Sequence, residues 1–132
     1  MILADGAFDP LHIGHISYLQ RAKGLGHRTG EMLFICVAPD DVIRAKGREP
    51  FQTRDERLAM LLLLRMVDGV CHEPLVQAIQ RRRPRMLVKG VEWRGQLPAD
   101  VEQACRDVGT DIVYVDTHSR TSTERLHACL KI

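Results

Sequence analysis

The sequence has few aromatic residues and no strong excess of charge of either sign. Aromatic residues make up 5% of the 132 residues, and the formal net charge is +2. Surfaces that bind single-stranded nucleic acid stack bases on aromatic rings, and basic surfaces attract nucleic acid electrostatically. The low aromatic content and the small net charge both argue against a nucleic-acid partner. The arginine cluster at 81–85 ("RRRPR") is interpreted as a solvated helix end, with a phosphate or nucleic-acid patch as the alternative.

The sequence also lacks paired cysteines and long apolar segments. The four cysteines stand far apart, with no C-x-x-C pair: Cys36, Cys71, Cys105 and Cys129. This spacing favours buried reduced thiols over a disulfide framework. The longest apolar run, at 58–64, is too short to span a bilayer, and residues 1–8 lack the features of a signal peptide. We therefore expect a cytoplasmic protein without a membrane partner.

Short apolar runs alternate with segments of helical periodicity along the chain. Strands are predicted at 1–8, 32–39, 69–73, 85–91 and 110–116, and helices at 12–26, 54–67, 73–83, 97–109 and 122–132, with a polar loop at 40–53. This alternation predicts an α/β fold, a three-layer sandwich in which helices cover both faces of a five-stranded, mainly parallel sheet. No linker or repeat divides the chain, so we expect residues 1–132 to form a single domain.

Polar and glycine-containing segments follow four of the five predicted strands. They lie at 6–15, 38–48, 89–94 and 116–123. In open parallel sheets, ligands bind beyond the carboxyl ends of the strands. We therefore expect these four segments to meet at one edge of the sheet and to form the binding site.

The first of these segments, "GAFDPLHIGH", has the composition of an anion-binding turn. Gly6 allows backbone N–H groups to approach a ligand closely, and Asp9 with Pro10 favours a tight turn before a helix. His12 and His15 stand three positions apart, so they share a face at the helix start, where the N–H groups favour an anion. We interpret the segment as a triphosphate site. The alternatives are metal ligation, for which no third ligand or H-E-x-x-H pattern is present, and a purely structural role.

The same segment resembles the G-x-F-D-x-x-H-x-G-H motif of the cytidylyltransferase-like nucleotidyltransferases. Later segments resemble this family in the same order along the chain: "RAKGREPFQTRDERLAML" (44–61), "RMVDGV" (65–70), "MLVKGVEWRG" (86–95) and "RTSTERL" (120–126). The likeness is to the glycerol-3-phosphate cytidylyltransferases and to the adenylyltransferase domains of ADP-heptose synthases. It implies a Rossmann-like sandwich that transfers a nucleotidyl group from CTP or ATP to a small phosphorylated acceptor and releases pyrophosphate.

The resemblance also implies roles for individual residues. His12 and His15 are expected to be catalytic, holding the phosphates and stabilising the α-phosphorus, and Lys46 is expected to close over the triphosphate or the acceptor phosphate. The other matched positions are expected to bind the nucleotide: Gly6, Ala7, Phe8, Asp9, Gly14, Arg65, Gly90, Trp93, Thr121, Ser122 and Thr123. No protein-bound metal is implied, and Mg²⁺ is expected to bind through the nucleotide phosphates.

Several of these positions have simpler explanations. Lys46 can be an ordinary solvated lysine, and Arg65 an exposed residue at a helix end. Trp93 can serve packing alone, while Ser122 and Thr123 can cap the last helix.

The closing segment departs from the family pattern. Arg120 and Thr121 replace the glycine and isoleucine of the cytidylyltransferase run, and Glu124 replaces its second threonine. Val91 and Gly69 also differ from the relatives. These changes leave the choice between CTP and ATP open, and they raise the alternative of a nucleotide-binding module that has lost catalysis.

The acceptor and the oligomeric state also stay open. Glycerol 3-phosphate, a heptose 1-phosphate and a phosphoalcohol such as phosphoethanolamine all fit the family, and relatives are often homodimers. The "HIGH" sequence also marks class I aminoacyl-tRNA synthetases, but the chain has no K-M-S-K-S segment and no length for an anticodon-binding domain.

Overall fold

The computed structural model describes residues 1–116. The predicted last helix and the nucleotide-binding positions Thr121, Ser122 and Thr123 lie outside the described residues.

In the described part of the chain, five parallel strands form one sheet. They are β1 (Ile2–Gly6), β2 (Leu33–Val37), β3 (Gly69–Cys71), β4 (Met86–Gly90) and β5 (Asp111–Val115), in the spatial order β3-β2-β1-β4-β5. Each neighbouring pair is parallel, which confirms the predicted sheet. The direction of the strand order reverses between β1 and β4. This reversal is the topological switch point, where ligands bind in sheets of this kind.

Within residues 1–116, five α-helices pack around the sheet. They are α1 (Ile13–Leu25), α2 (Asp40–Ala45), α3 (Arg54–Leu62), α4 (Leu75–Arg82) and α5 (Ala99–Val108). Side chains alternate between the two faces of each strand. Ile2 and Ala4 join the core cluster formed with α1 and α3, whereas Leu3 joins the cluster formed with α4 and α5. The predicted Rossmann-like three-layer sandwich is therefore confirmed.

The prediction of a loop over 40–53 was wrong at its beginning, where α2 forms. Asp40 and Asp41 occupy the first turn of this short helix. Their negative charges lie at the positive end of the helix dipole and stabilise it. Asp40 and Asp41, which suggested a loop because they are polar, are instead residues of the first helical turn.

The helix predicted over 54–67 ends earlier, at Leu62. The chain then turns back toward β3 through hydrogen bonds three residues apart, from Leu64 to Leu61 and from Val67 to Leu64. Leu63 is 84% exposed, whereas Leu61 is fully buried. The predicted helix was too long because the prediction relied on the apolar character of the residues that follow Leu62.

The cysteines of the described part are free and buried, as the sequence indicates: Cys36, Cys71 and Cys105. Cys129 lies beyond residue 116. No helix within residues 1–116 combines the length and the apolar character that crossing a membrane requires.

The arginine cluster lies at the end of α4, as the solvated-helix-end interpretation predicts. Arg81 and Arg82 form ion pairs with Glu73, and Arg85 pairs with Glu31. Carboxylates of this chain therefore neutralise part of the cluster.

Candidate active site

A cavity of about 890 Å³ opens at the carboxyl ends of the strands. Three expected catalytic residues line it: His12, His15 and Lys46. Six expected nucleotide-binding residues line it as well: Gly6, Ala7, Phe8, Gly14, Gly90 and Trp93. The fold therefore brings together residues from the segments after β1, β2 and β4, at the edge of the sheet where the sequence placed them.

His12 and His15 cap the beginning of α1. The backbone N–H of Gly14 donates to Nδ1 of His12 at 3.2 Å, and the backbone N–H of His12 donates to Nδ1 of His15 at 3.3 Å. A ring nitrogen that accepts a hydrogen bond carries no proton, so the proton of each neutral ring is on Nε2. The two rings stack with their centroids 3.8 Å apart. The helix start thus fixes the tautomer and the orientation of both imidazoles.

Burial keeps both imidazoles uncharged at neutral pH. It is the main reason that the pKa of His15 falls to about 4, and the neighbouring His12 lowers it further. Burial also holds the pKa of His12 below its ordinary value. A bound polyanion would act in the opposite direction, because a negative charge nearby favours the protonated form of histidine. In the neutral state each ring can donate a hydrogen bond from Nε2 while its Nδ1 keeps the cap bond.

Phe8 supports His15 inside the wall of the cavity. Its ring is 1% exposed and meets the His15 ring edge-on, with the centroids 5.0 Å apart. The backbone of Phe8 is left-handed, with a φ of 52°, which is strained for an aromatic residue. Gly6 makes this arrangement possible, because a Cβ at Gly6 would lie 3.1 Å from carbons of the Phe8 ring.

Asp9 lies beside the cavity wall and is not among the residues that line the cavity, and its expected part in nucleotide binding stays a prediction. Its buried carboxylate accepts a hydrogen bond from Arg48 at 2.7 Å and from the backbone N–H groups of Phe51 and Gln52, each at 2.9 Å. Burial raises the pKa of Asp9, but these donors together outweigh it, so the pKa lies below its usual value. With both oxygens engaged, Asp9 ties the segment 48–52 to the first loop.

Lys46 lines the cavity and lies just before the segment 48–52, which is hydrogen-bonded to Asp9. It follows α2 directly, and its side chain is exposed. Gly47, with a φ of 94°, then turns the chain toward Arg48. Lys46 therefore has the freedom to approach a ligand from a segment that is itself anchored.

Arg57 organises the site, although the sequence analysis did not single it out. Its fully buried guanidinium donates to the carbonyl oxygens of Ala7 at 2.8 Å and Ala38 at 2.7 Å, and to the carboxylate of Asp40 at 2.6 Å. It therefore joins the loops that follow β1 and β2. Helical spacing offered a signal, because Arg57 lies four residues before Leu61 on the buried face of α3.

An ion pair forms part of the cavity floor. Nζ of Lys89 lies 2.6 Å from Oδ1 of Asp5 and 4.3 Å from the centre of the Trp93 ring. The side chains of Lys89 and Asp5 are 6% and 18% exposed. Neither was singled out from the sequence, although a charged residue near the end of an otherwise apolar strand is an unusual feature that could have drawn attention to both.

Gly90 lines the cavity next to the exposed side chain of Glu92. A Cβ at Gly90 would meet the carboxylate of Glu92, which also lines the cavity.

The side of the cavity next to β2 and β3 is held by Arg54. This side chain donates to the carbonyl oxygens of Val37, Cys71 and His72. His72 and the following Glu73 line the cavity at the beginning of α4. Two further polar residues therefore face the ligand space, neither of which the sequence analysis singled out.

Arg65 lies away from the cavity. It is an exposed residue in the connection from α3 to β3, which leads to the amino end of β3. Arg65 is not among the residues that line the cavity at the carboxyl ends of the strands. Its expected role in nucleotide binding stays a prediction.

Within residues 1–116, no group of three histidine, cysteine or acidic residues is arranged to hold a metal ion. His12 and His15 therefore have no third protein ligand in this part of the chain.

Comparison with known proteins gives a family for this architecture. A family model described as cytidylyltransferase-like matches residues 3–128. The bifunctional protein HldE of Helicobacter hepaticus is 35% identical over 127 residues, which cover 92% of this chain and 25% of HldE. The FAD synthase of Picrophilus torridus is 32% identical over 111 residues, which cover 82% of this chain and 76% of that protein.

The structural comparison agrees with the sequence comparison. A lipopolysaccharide core biosynthesis protein from Thermoplasma volcanium GSS1 has a TM-score of 0.72 and 27% sequence identity, over 89% of this chain and 97% of that protein. The chain spans about a quarter of the length of the HldE relatives that it matches. The family match includes the loop with the two histidines and all five strands, and the chain belongs to the cytidylyltransferase-like family.

Proposed function

We propose that this chain transfers a nucleoside monophosphate from CTP or ATP to a phosphorylated sugar or polyol, of the glycerol 3-phosphate or heptose 1-phosphate type, and releases pyrophosphate. Membership of the family supports nucleotidyl transfer in general. The observation that carries the proposal is the pair of Nε2-protonated rings of His12 and His15 in the cavity wall. The cavity volume is in the range of small-molecule sites.

In the proposed reaction, a phosphate oxygen of the acceptor attacks the α-phosphorus of the nucleotide. The new P–O bond forms as the bond to the bridging oxygen of the β-phosphate breaks, and pyrophosphate leaves with that electron pair. His12 and His15 donate to the phosphate oxygens on which charge develops. Both imidazoles are fixed before the ligand arrives, so no reorientation is needed during the reaction.

Lys46 and the closing segment complete the proposed phosphate site. Lys46 approaches the triphosphate or the acceptor phosphate from the anchored segment after α2. The hydroxyls of Ser122 and Thr123 are proposed to hold the β- and γ-phosphates, and Thr121 is proposed to bind the nucleotide as well.

Mg²⁺ is proposed to enter with the nucleotide. When bound with the nucleotide, it would neutralise part of the phosphate charge. The carboxylate of Glu92 lines the cavity and fits this role, because Mg²⁺ prefers oxygen ligands. His12, His15 and Lys46 then bind and orient the phosphates.

A flavin phosphate is the second candidate acceptor. The FAD synthase of Picrophilus torridus matches this chain over 76% of its own length, a much larger share than HldE. A flavin mononucleotide also carries its phosphate on a polyol chain. It therefore belongs in any panel of acceptors.

Detection of released pyrophosphate tests the proposal. The protein is incubated with Mg²⁺ and with CTP or ATP, each paired with glycerol 3-phosphate, a heptose 1-phosphate, phosphoethanolamine or flavin mononucleotide. Reactions without acceptor serve as controls. Acceptor-dependent release with one pair is expected. Nucleotide binding without release for any pair would instead favour a binding module that has lost catalysis.

The proposed setting is the cytoplasm, in keeping with the free thiols of the described part. A homodimer is proposed from the family alone, and light scattering coupled to size-exclusion chromatography measures it.

A further inference from the structure

The carboxylate of Asp5 and the ammonium of Lys89 stand side by side because of strand register. Ala4 of β1 is paired with Val88 of β4, so the next residues along the strands, Asp5 and Lys89, are neighbours. Both point to the face covered by α4 and α5, since Leu3 and Leu87, two residues earlier, belong to the core cluster on that face. The pair is therefore built into the sheet at the switch point.

Each member of the pair keeps hydrogen-bonding capacity toward the cavity. One oxygen of Asp5, Oδ1, accepts from Lys89, and the Asp5 side chain has no other hydrogen bond within residues 1–116. Lys89 has three N–H donors, and within residues 1–116 its ammonium hydrogen-bonds to Asp5 and lies over the Trp93 ring. All three residues line the cavity. A donor and an acceptor are thus presented together beside an aromatic ring.

The chemistry of this group fits neutral hydroxyls better than a further phosphate. The charges of Asp5 and Lys89 offset each other, so the pair has little net attraction for an anion. A hydroxyl both donates and accepts, so two adjacent hydroxyls can donate to Oδ2 of Asp5 and accept from Nζ of Lys89. The ammonium covers one face of the Trp93 indole, which prevents a base from stacking on that face.

We propose that Asp5, Lys89 and Trp93 form a site that recognises a vicinal diol, and that this site determines specificity for hydroxylated ligands. The inference rests on the proposed function, which places a nucleotide and a polyol phosphate in the same cavity. The diol is either that of the nucleotide ribose or that of the acceptor, and two arms of one experiment distinguish these sources.

The experiment follows Trp93, the only tryptophan in the sequence, by fluorescence during ligand titration. The nucleotide arm compares CTP with 2′-deoxy-CTP and ATP with 2′-deoxy-ATP. The acceptor arm compares glycerol 3-phosphate with 3-hydroxypropyl phosphate, which lacks the second hydroxyl. A hydrogen bond to a charged group predicts a preference of about tenfold for the hydroxylated ligand in one arm.

Variants connect that preference to the pair. The double variant Asp5→Asn/Lys89→Met removes both charges without leaving one buried and unpaired. We expect it to reduce the tenfold preference to nearly one, and Asp5→Asn alone to reduce it partly. The matched control is Lys23→Met/Asp68→Asn, a pair with the same 2.6 Å distance that does not line the cavity. This control is expected to keep the preference.

The outcomes separate this inference from the proposed function. Equal binding of hydroxylated and deoxy ligands in both arms overturns the diol site, and so does a preference that survives in Asp5→Asn/Lys89→Met. If the double variant does not fold, Asp5→Asn alone decides the result. A clear preference without any pyrophosphate release leaves the diol site standing and overturns nucleotidyl transfer.

Discussion

The backbone N–H of His12 donates to Nδ1 of His15, and the two rings stack 3.8 Å apart at the beginning of α1. Each histidine therefore uses one nitrogen for the helix cap and carries its proton on the other. Nδ1 of each ring accepts the cap bond, and Nε2 of the same ring is the atom proposed to bind phosphate. Protonation of Nδ1 would remove the cap bond, so the local fold and the charge state of the site are linked.

The free energy of unfolding is predicted to decrease as the pH falls from about 6.5 to about 4. Burial holds the pKa of His15 at about 4 in the folded chain, compared with 6.5 in the unfolded chain. Between these values the unfolded chain binds a proton that the folded chain does not, so acid favours unfolding. Urea denaturation at a series of pH values measures this dependence.

Two variants serve as controls for the pH prediction. His15→Ala is expected to have a weaker pH dependence over the same interval, with the remainder due in part to His12. His27→Ala, an exposed histidine outside the cavity, is expected to behave like the unsubstituted protein. An unchanged pH dependence in His15→Ala would contradict the assigned cause.

Asp9→Asn is predicted to loosen the segment 48–52 and to raise the KM for the nucleotide. The amide would direct a donor toward N–H groups that now donate to the carboxylate, at a cost of about 1–3 kcal/mol in unfolding free energy. Lys46 would lose the anchoring of its segment. Denaturation and steady-state kinetics measure the two effects.

Asp41→Asn is the matched control for Asp9→Asn, because the Asp41 side chain is 92% exposed. We expect a change within about 0.5 kcal/mol and no change in KM. Equal effects of the two substitutions would show that Asp9 does not anchor the segment.

Arg57→Met is predicted to destabilise the fold by about 3 kcal/mol. It removes the donors to Ala7 and Ala38 and leaves the Asp40 carboxylate without its partner. Arg57→Lys keeps the charge but cannot reach all three acceptors, so an intermediate loss is expected. Chemical denaturation measures both variants, and Arg81→Met, whose side chain is 76% exposed, is expected to change little. A loss in Arg57→Met no larger than in Arg81→Met would contradict this role.

The strands and the position of the site could be predicted from the sequence because they depend on local patterns. Uncharged apolar runs mark buried strands such as β2, and Gly6 with the Asp9-Pro10 turn before His12 marks the first loop. The rule that ligands bind at the carboxyl ends of parallel strands then brings His15, Lys46 and Trp93 to one edge without knowledge of any contact.

The contacts between segments could not be predicted in this way. Arg57 resembles any charged residue of a helix until Ala7 and Ala38 are known to lie next to it. The role of Asp9 could not be predicted either, because its partners Arg48 and Phe51 lie 39 and 42 residues away along the chain. Lys89 and Asp5 are joined only by the register of β1 and β4. Long-range pairing decided each of these roles.

The proposed role of His15 in holding the reacting phosphate is tested most directly by comparing pyrophosphate release from His15→Ala and His27→Ala. The assay uses the nucleotide and acceptor that give turnover in the unsubstituted protein, and circular dichroism checks that both variants are folded. We predict that His15→Ala loses about 100-fold or more in kcat, whereas His27→Ala keeps its full rate. Unchanged turnover in folded His15→Ala would contradict the account.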